Sequence, residues 1–582
     1  MASNNAKLAA IFQQMADLNQ VLGGNRFKTN AFQKAVRVLD DFTRDVGDVD
    51  PPDLLDVDGI GKGIAQKIEE FLKTGKVEEH QAMLDQVPGG VLAMLGVPGL
   101  GPKGAAQLWQ EGGVETIGQL KAKITDGSLQ ELKGFGKKKL ENLSKSIAFA
   151  ESAGGRVNLG YAMPLAMGVI DQLRGIAGVE QIDYAGSLRR GKETIGDIDI
   201  LVAAHPNAAA GVMDAFVGLP MVAEVLSHGE TKSSIRATDE FHRIQVDLRV
   251  IEPKHWGAAL MYFTGSKEHN VKLRERALSM GYTLNEYALA NKDDKTQHVE
   301  TQTEEAIYRR LKLGWIPPEL REDRGEIALA EEHTLPALLT VKDVRADLHT
   351  HTTASDGRWS IRENALAMAG RGHHTVAITD HSKSQFQANG LDNDRLVRHI
   401  EAVREVSKEL NGKITVLAGS EVDILADGSL DYPDELLAEL DVVVASPHAA
   451  LSQDDKKATA RLLRAIENPY VTILGHPTGR LVNRREGLNP DIGALVRAAA
   501  DRGIAMEINA NHWRLDLRDT HARAALDAGG KLSINTDAHG PGDLEQLPYG
   551  VLTARRAGAT QQDVINCMNS EQLEKWLKST RH

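Results

Sequence analysis

The sequence predicts a multidomain chain with small helical modules at the N-terminus, an α+β region in the middle and a C-terminal (β/α)7-like barrel. Three observations carry this. The chain has 582 residues, and at roughly 100 to 200 residues per domain that implies about three to five domains. Near the N-terminus, Val57–Ala65 (VDGIGKGIA), Val97–Ala105 (VPGLGPKGA) and Leu132–Leu140 (LKGFGKKKL) repeat one pattern, an apolar residue and a Gly-x-Gly turn before a helix-like run. Beyond residue 343, short β-rich apolar runs alternate with amphipathic helical ones.

Composition narrows the chemistry. Hydrophobic residues make up 42% and charged residues 26%, as in an ordinary globular protein. No stretch approaches the roughly 20 apolar residues of a membrane span, and the N-terminus lacks a basic flank followed by an apolar run, so a cytoplasmic protein without a membrane partner is expected. The single cysteine, Cys567, rules out an intrachain disulfide framework and a thiolate cluster. Any metal must therefore sit on carboxylates and on the 20 histidines. A net charge of −13 argues against a nucleic-acid partner. Residues 101–150, however, hold 8 Lys against 5 Asp and Glu, and 12 of the histidines fall between 347 and 582. Two chemistries share one chain.

In the middle region, Asp197–Ala203 and Ile244–Ile251 read as strands. Asp197 and Asp199 are two apart, so both side chains leave the same face, and Asp247 offers a third carboxylate from the second strand. Three convergent carboxylates can hold two Mg²⁺ ions about 4 Å apart for phosphoryl transfer. Just upstream, Gly186 and Ser187 offer a close backbone and a hydroxyl to phosphate, with Arg189 and Arg190 beside them to supply charge. Pro317–Lys342, charged and bounded by prolines, reads as the interdomain connection.

With GSxRRG upstream of D-x-D, the region resembles DNA polymerase family X, the polymerase-beta-like nucleotidyltransferases. The resemblance implies a palm over 151–252 and a thumb over 253–320. It assigns Asp197, Asp199 and Asp247 to catalysis with Mg²⁺ or Mn²⁺, and places Ser187, Arg190 and Gly196 at triphosphate-binding positions. It also implies a sugar pocket shaped by Tyr262 and Phe263, a turn at Gly265–Ser266, and Asn270 facing the incoming base. Two residues before Asp247, where vertebrate members carry Arg, this chain has Gln245. By the same resemblance the repeats are helix-hairpin-helix turns, in which Gly59, Gly61, Gly99, Gly101, Gly134 and Gly136 bring backbone N–H groups to DNA phosphates. Residues 1–80 resemble the family's lyase domain and 81–150 its second helix-hairpin-helix (fingers-like) domain. Lys67 occupies the Schiff-base position and Lys28 a phosphate-binding one. Phe32 stands where a tyrosine is usual and Gly63 where a lysine is, so a purely DNA-binding role stays open.

The seven strand candidates of the C-terminal region are Val344–Leu348, Thr375–Thr379, Ile414–Ala418, Val442–Ala445, Val471–Leu474, Ile504–Ile508 and Leu532–Asn535. Six of them end at or next to His349, His351, Asp356, His381, Glu421, His448, His476, Asp537 or His539, and the C-terminal mouth of such a barrel is where active sites assemble. The sixth ends in Glu507 and Asn509, read as substrate contacts. The set resembles the PHP (polymerase and histidinol phosphatase) domain over 343–582. That resemblance implies one metal on His349, His351, Glu421 and Asp537, a second on Glu421, His448 and His476, and a third on Asp356, His381 and His539. Imidazole and carboxylate ligands suit Zn²⁺ or Mn²⁺.

Together these features describe the layout of bacterial family X polymerases. They imply a gap-filling repair polymerase with PHP-dependent 3′→5′ exonuclease or 3′-end processing, acting on gapped or primer-template DNA and dNTPs and expected to be a monomer. Two other classes stay open: a polymerase whose barrel is a small-molecule phosphatase or a structural metal-binding module, and a DNA-binding scaffold without catalysis.

Overall fold

The computed structural model describes residues 4–41, 46–48, 53–56, 60–95, 97, 100–152, 155–238 and 243–580. The chain forms two compact units, one of N-terminal helices and one holding the central domain and the barrel. No helix among the described residues is long and apolar enough to cross a membrane.

The N-terminal unit shows why the glycine repeats recur. The helices Lys62–Thr74, Pro102–Gln110 and Lys137–Ser152 each begin directly after the second glycine of a repeat. The residue between the two glycines, Ile60, Leu100 or Phe135, is buried in the common helical core. That apolar anchor fixes each turn, while Gly61, Gly101 and Gly136 lie exposed with open space where a Cβ would be. Gly61 and Gly101 cap their helices without a side-chain hydrogen bond, so the first N–H groups of those helices have no side-chain acceptor at the cap. Gly134 takes the left-handed φ of 84°; Gly59 and Gly99 lie outside the described residues.

The central domain is built on a five-stranded sheet: β1 (Val179–Tyr184), β2 (Asp197–Ala204), β3 (Val222–His228), β4 (Lys232–Thr238) and β5 (Arg243–Ile251), in the order β1-β2-β5-β4-β3. Only β2 and β5 run parallel. Alternation along β5 buries Ile244, Val246, Leu248 and Val250 and leaves Gln245, Asp247 and Arg249 on the other face.

The barrel strands are β6 (Ala346–Thr350), β7 (Thr375–Ile378), β8 (Thr415–Asp423), β9 (Val442–Ser446), β10 (Ile473–Leu474), β11 (Ala505–Asn509) and β12 (Lys531–Asn535), paired in parallel in chain order. A Thr350–Ala538 bridge joins the first strand to the segment after the last, making a nearly closed seven-stranded barrel. Two strands differ from expectation. The third runs on to Asp423, carrying Glu421 inside it, because Glu421–Asp423 find register partners in Val444–Ser446. The fifth shrinks to Ile473–Leu474.

The Pro317–Lys342 connection is packed rather than a solvated tether. Arg321 is fully buried, and Glu319 and Glu326 are buried as well. Ion pairs tie the barrel to the central domain through Arg480–Glu193 at 2.6 Å, and to the connection through Arg555–Glu319 at 2.7 Å and Arg556–Glu322 at 3.0 Å. Leu515 of the barrel lies in the central core. A barrel cut free of these partners would strand buried charges, so the full chain is the unit to test.

Candidate functional site

The central site follows from strand register. Asp199 of β2 pairs with Asp247 of β5, and Asp197 with Gln245, so on two adjacent parallel strands the carboxylates project side by side. Gln245 Nε2 donates to Asp247 Oδ1 at 2.8 Å, and Lys232 Nζ lies 3.3 Å from Asp247 Oδ2. Burial, followed by repulsion from Asp197 and Asp247, pushes the Asp199 carboxyl up to about 7. A site so rich in negative charge is one that cations fit.

The turn above the carboxylates is held close. Gly186 has φ 60°, and a Cβ there would lie 2.3 Å from Asp199 Oδ2. Ser187 is half-buried beside it. Gly196 lies beside Arg156, whose Nη1 would be 2.8 Å from an added Cβ. The two arginines beside the turn each pair with a carboxylate. Arg189 forms a two-armed pair with Glu304 at 2.8 and 3.0 Å. Arg190, 8% exposed, donates to Glu322 at 3.0 Å and to the Thr264 carbonyl at 2.8 Å. Both guanidinium groups have partners inside the fold, Arg190 through its Nε and Nη1. The cations facing the carboxylates are Lys232 and Arg249. Arg249 also lies 4.8 Å from the Phe263 ring, and its spacing two residues beyond Asp247 was the overlooked signal. Tyr262 and Phe263 meet edge-to-face at 5.2 Å. Asn270, which the resemblance places facing the incoming base, donates to the Tyr262 carbonyl at 2.7 Å and the Gly265 carbonyl at 3.3 Å, so its amide braces the Gly265 turn.

In the N-terminal unit, Lys28 and Lys67 converge on Glu79, with Lys67 Nζ 2.7 Å from Oε2. Burial opposes ionisation of Glu79, but the hydrogen bonds from Lys28 and Lys67 outweigh it and hold the carboxyl below its usual range. Phe32 is buried and stacks on Phe12 at 6.0 Å.

The barrel mouth gathers all nine predicted ligands. Four groups with ligand atoms within 4.8 Å of one another occur among the described residues, all of them here: His351, Asp356, His381 and His539; His349, His351, Glu421 and Asp537; His381, Glu421 and His448; and His349, His476 and Glu507. Glu421 is central. Its Oε1 lies 3.1 Å from His448 Nε2 and 3.2 Å from His476 Nε2, and its Oε2 lies 2.9 Å from His381 Nδ1. His476 (φ 21°) and Asp537 (φ 55°) adopt backbone conformations unusual for side-chain-bearing residues, a strain that clusters at functional sites.

These residues fit metal. His349 Nε2, His351 Nδ1, His381 Nδ1 and both Glu421 oxygens are buried without a hydrogen-bond partner, a costly arrangement unless a cation satisfies them. Burial opposes ionisation of Glu421, yet His448, His349 and His381 together hold it well below the carboxylate range. Burial likewise disfavours charge on His349, but Glu421, Glu507 and Asp537 raise it well above the usual imidazole value. Protons thus occupy a field that divalent ions could fill.

Glu507 lies differently from the substrate contact its strand-end position suggests. It is fully buried behind the ligands and accepts from His349 Nδ1 at 2.7 Å and His476 Nδ1 at 2.9 Å, so it orients two imidazoles and is not placed to meet substrate. Asn509 is buried too and donates to Asp537 Oδ2 at 2.9 Å. Asp423 holds His448 Nδ1 at 2.5 Å in the same way. Asp356, His381, His448, Asp537 and His539 line a cavity of about 300 Å³, with Arg514 supplying a cation to its wall.

Comparison with known proteins agrees with this geometry. Residues 3–77 match a helix-hairpin-helix domain, 91–148 a SAM-like helix-hairpin-helix tandem, 259–322 the DNA polymerase beta thumb and 347–511 the PHP domain. The DNA polymerase/3′-5′ exonuclease PolX of Bacillus subtilis is 36% identical over 570 residues, 98% of each chain. A probable phosphatase of Thermoanaerobacter is 28% identical over 246 residues, covering 40% of this chain and 95% of its own. One from Edwardsiella ictaluri is 33% identical over 230 residues, covering 38% and 89%. With a parallel carboxylate pair in the centre, a polymerase thumb beside it and a histidine-rich barrel at the C-terminus, the chain belongs to the family X DNA polymerases that carry a PHP domain.

Proposed function

We propose that this protein fills short gaps in DNA during repair, adding nucleotides at the central site, and that its barrel removes nucleotides or blocking groups from the 3′ end. The observation that carries the first half is the side-by-side placement of Asp199 and Asp247 beneath the Gly186 turn. On this reading Asp197, Asp199 and Asp247 would hold two Mg²⁺ or Mn²⁺ ions, and the nine barrel residues about three Zn²⁺ or Mn²⁺ ions. When bound, such ions supply the positive charge that phosphoryl transfer needs at its attacking and leaving oxygens. The chain's own groups do the rest. The Gly186 backbone lets a triphosphate approach the carboxylates, Phe263 and Tyr262 wall the sugar, and the helix-hairpin-helix N-termini hold phosphates without reading bases. In the barrel, Glu507 and Asp423 fix the imidazole orientations, and Arg514 can neutralise a phosphate oxygen.

The two activities separate by mutation. Asp247→Ala should abolish primer extension on gapped DNA and leave 3′-end hydrolysis, while Glu421→Ala should cost orders of magnitude in hydrolysis and leave extension close to normal. Loss of both activities in either folded variant would contradict two independent centres. A second reading, a small-molecule phosphatase in the barrel, is favoured by the probable phosphatases that match this region over most of their length. Faster turnover of histidinol phosphate than of a labelled single strand would select it.

A further inference from the structure

Phe386 is 90% exposed, the most exposed of the large hydrophobic side chains among the described residues. An isolated exposed apolar residue needs no explanation, but this one is placed unusually. It lies in the turn between β7 and the helix Asn393–Glu409, and its neighbours Gln385, Gln387 and Ala388 line the cavity that holds Asp356, His381, His448, Asp537 and His539.

The turn that carries it is braced on both sides. Ser384 N donates to Asp431 at 2.7 Å, and Gln385 Nε2 to Asp423 at 2.7 Å, the same carboxylate group that orients His448. At the far end, Leu391 N donates to the His381 carbonyl at 2.8 Å, and Arg395 donates to the carbonyls of Asn389 and Gly390 at 3.0 and 3.1 Å. Gly390 passes so close to Ser382 that a Cβ would fall 2.0 Å from its carbonyl oxygen. The aromatic ring is therefore presented to solvent from a backbone that is already ordered, which keeps the entropic cost of binding low.

We propose that Phe386 is a stacking platform for a nucleobase of the DNA 3′ end that enters the barrel, which makes it a substrate-binding residue. The proposal rests on reading the barrel as a nuclease of DNA ends. At about 300 Å³ the cavity is at the small end of ligand pockets; it suits a phosphate and sugar, and leaves a base at the rim. One exposed ring offers the area of one base, and stacking on it is indifferent to sequence because every base has a π-face. A base is free to stack in this way only when it is unpaired, so the platform favours frayed or single-stranded ends.

The test uses the full-length protein with Mn²⁺ and single-stranded oligonucleotides in which an abasic residue replaces each of the last three nucleotides in turn. Phe386→Ala should raise KM for the normal strand by about tenfold with kcat little changed, and Phe386→Trp should restore it. On the strand whose abasic residue occupies the stacked position, wild type and Phe386→Ala should have the same KM. An unchanged KM in Phe386→Ala, or an equal penalty on every abasic strand, would overturn the platform while leaving the nuclease reading intact. A wild-type protein that cleaves none of the strands but retains its metal would overturn the nuclease reading and the platform with it.

Discussion

Gly186 and Asp199 approach so closely that a single methyl group would collide with the carboxylate: the Cβ of an alanine at 186 would lie 2.3 Å from Oδ2. Gly186 also has φ 60°, which an L side chain adopts at a cost. Gly186→Ala should therefore displace Asp199 without unfolding the sheet beneath it. A displacement of about 1 Å at a reacting centre costs on the order of 10²-fold, and incorporation on gapped DNA should fall by about that much. Hydrolysis of 3′ ends by the same preparation should be unchanged, which checks the fold.

Glu507 accepts from two imidazoles at once, so Glu507→Gln leaves one of them without its acceptor while keeping the shape of the site. Loss of such an orienting partner typically costs about 10- to 100-fold in metal affinity or activity. Metal content after dialysis and the rate of 3′-end hydrolysis should both drop in this range, and added Mn²⁺ should restore part of the rate. An unaltered metal content would show that the two histidines hold their orientation without it.

Lys28 and Lys67 pinch the Glu79 carboxylate between them, the arrangement in which two ammonium groups would grip a DNA 5′-phosphate. Lys28→Ala and Lys67→Ala should each weaken binding to a gap with a 5′-phosphate by about five- to tenfold relative to a gap without one, as expected for loss of one charge-assisted contact. Borohydride trapping on a 5′-deoxyribose-phosphate end should give a covalent adduct that Lys67→Ala removes, which would make this lysine a nucleophile, with no adduct at all favouring a purely DNA-binding role.

Glu304 is buried between Arg321, with contacts of 2.5 and 3.1 Å, and Arg189. Burial opposes its ionisation, but Arg321 and Arg189 outweigh that and hold the carboxyl at about 2 against its ordinary 4.5. Because the folded value is the lower one, the stabilisation is present above pH 4.5 and is lost as pH falls through about 2. Glu304→Gln leaves Arg321 buried without a counter-charge and should cost about 3–5 kcal/mol near neutral pH. Thermal melts of the two proteins should converge as the buffer is taken from pH 6 towards pH 3; a gap that stays constant would mean that charge is not what Glu304 contributes.

Much of this protein is legible in its sequence, for reasons of chain geometry. A D-x-D on a strand must put both carboxylates on one face, and a run of strand–helix units must bring strand ends to one mouth, so Asp197, Asp199 and the nine candidate ligands of the barrel mouth could be named from spacing and family resemblance. The buried residue at the centre of each Gly-x-Gly repeat, Ile60, Leu100 or Phe135, likewise follows from apolar patterning. What only the tertiary structure decided was which groups oppose one another. Glu507 meets His349 across 158 residues, and Arg556 donates to the Arg190 carbonyl across 366. No local pattern records such partners, because a side chain's role at a site depends on the counter-charges and hydrogen-bond acceptors that distant segments bring to it. Arg190 stands at a triphosphate-binding position by family resemblance, and only the fold shows that Glu322 and the Thr264 carbonyl also hold it. Phe386 carries no signal in the sequence and is held out beside the cavity at the barrel mouth by a backbone tied down on both sides.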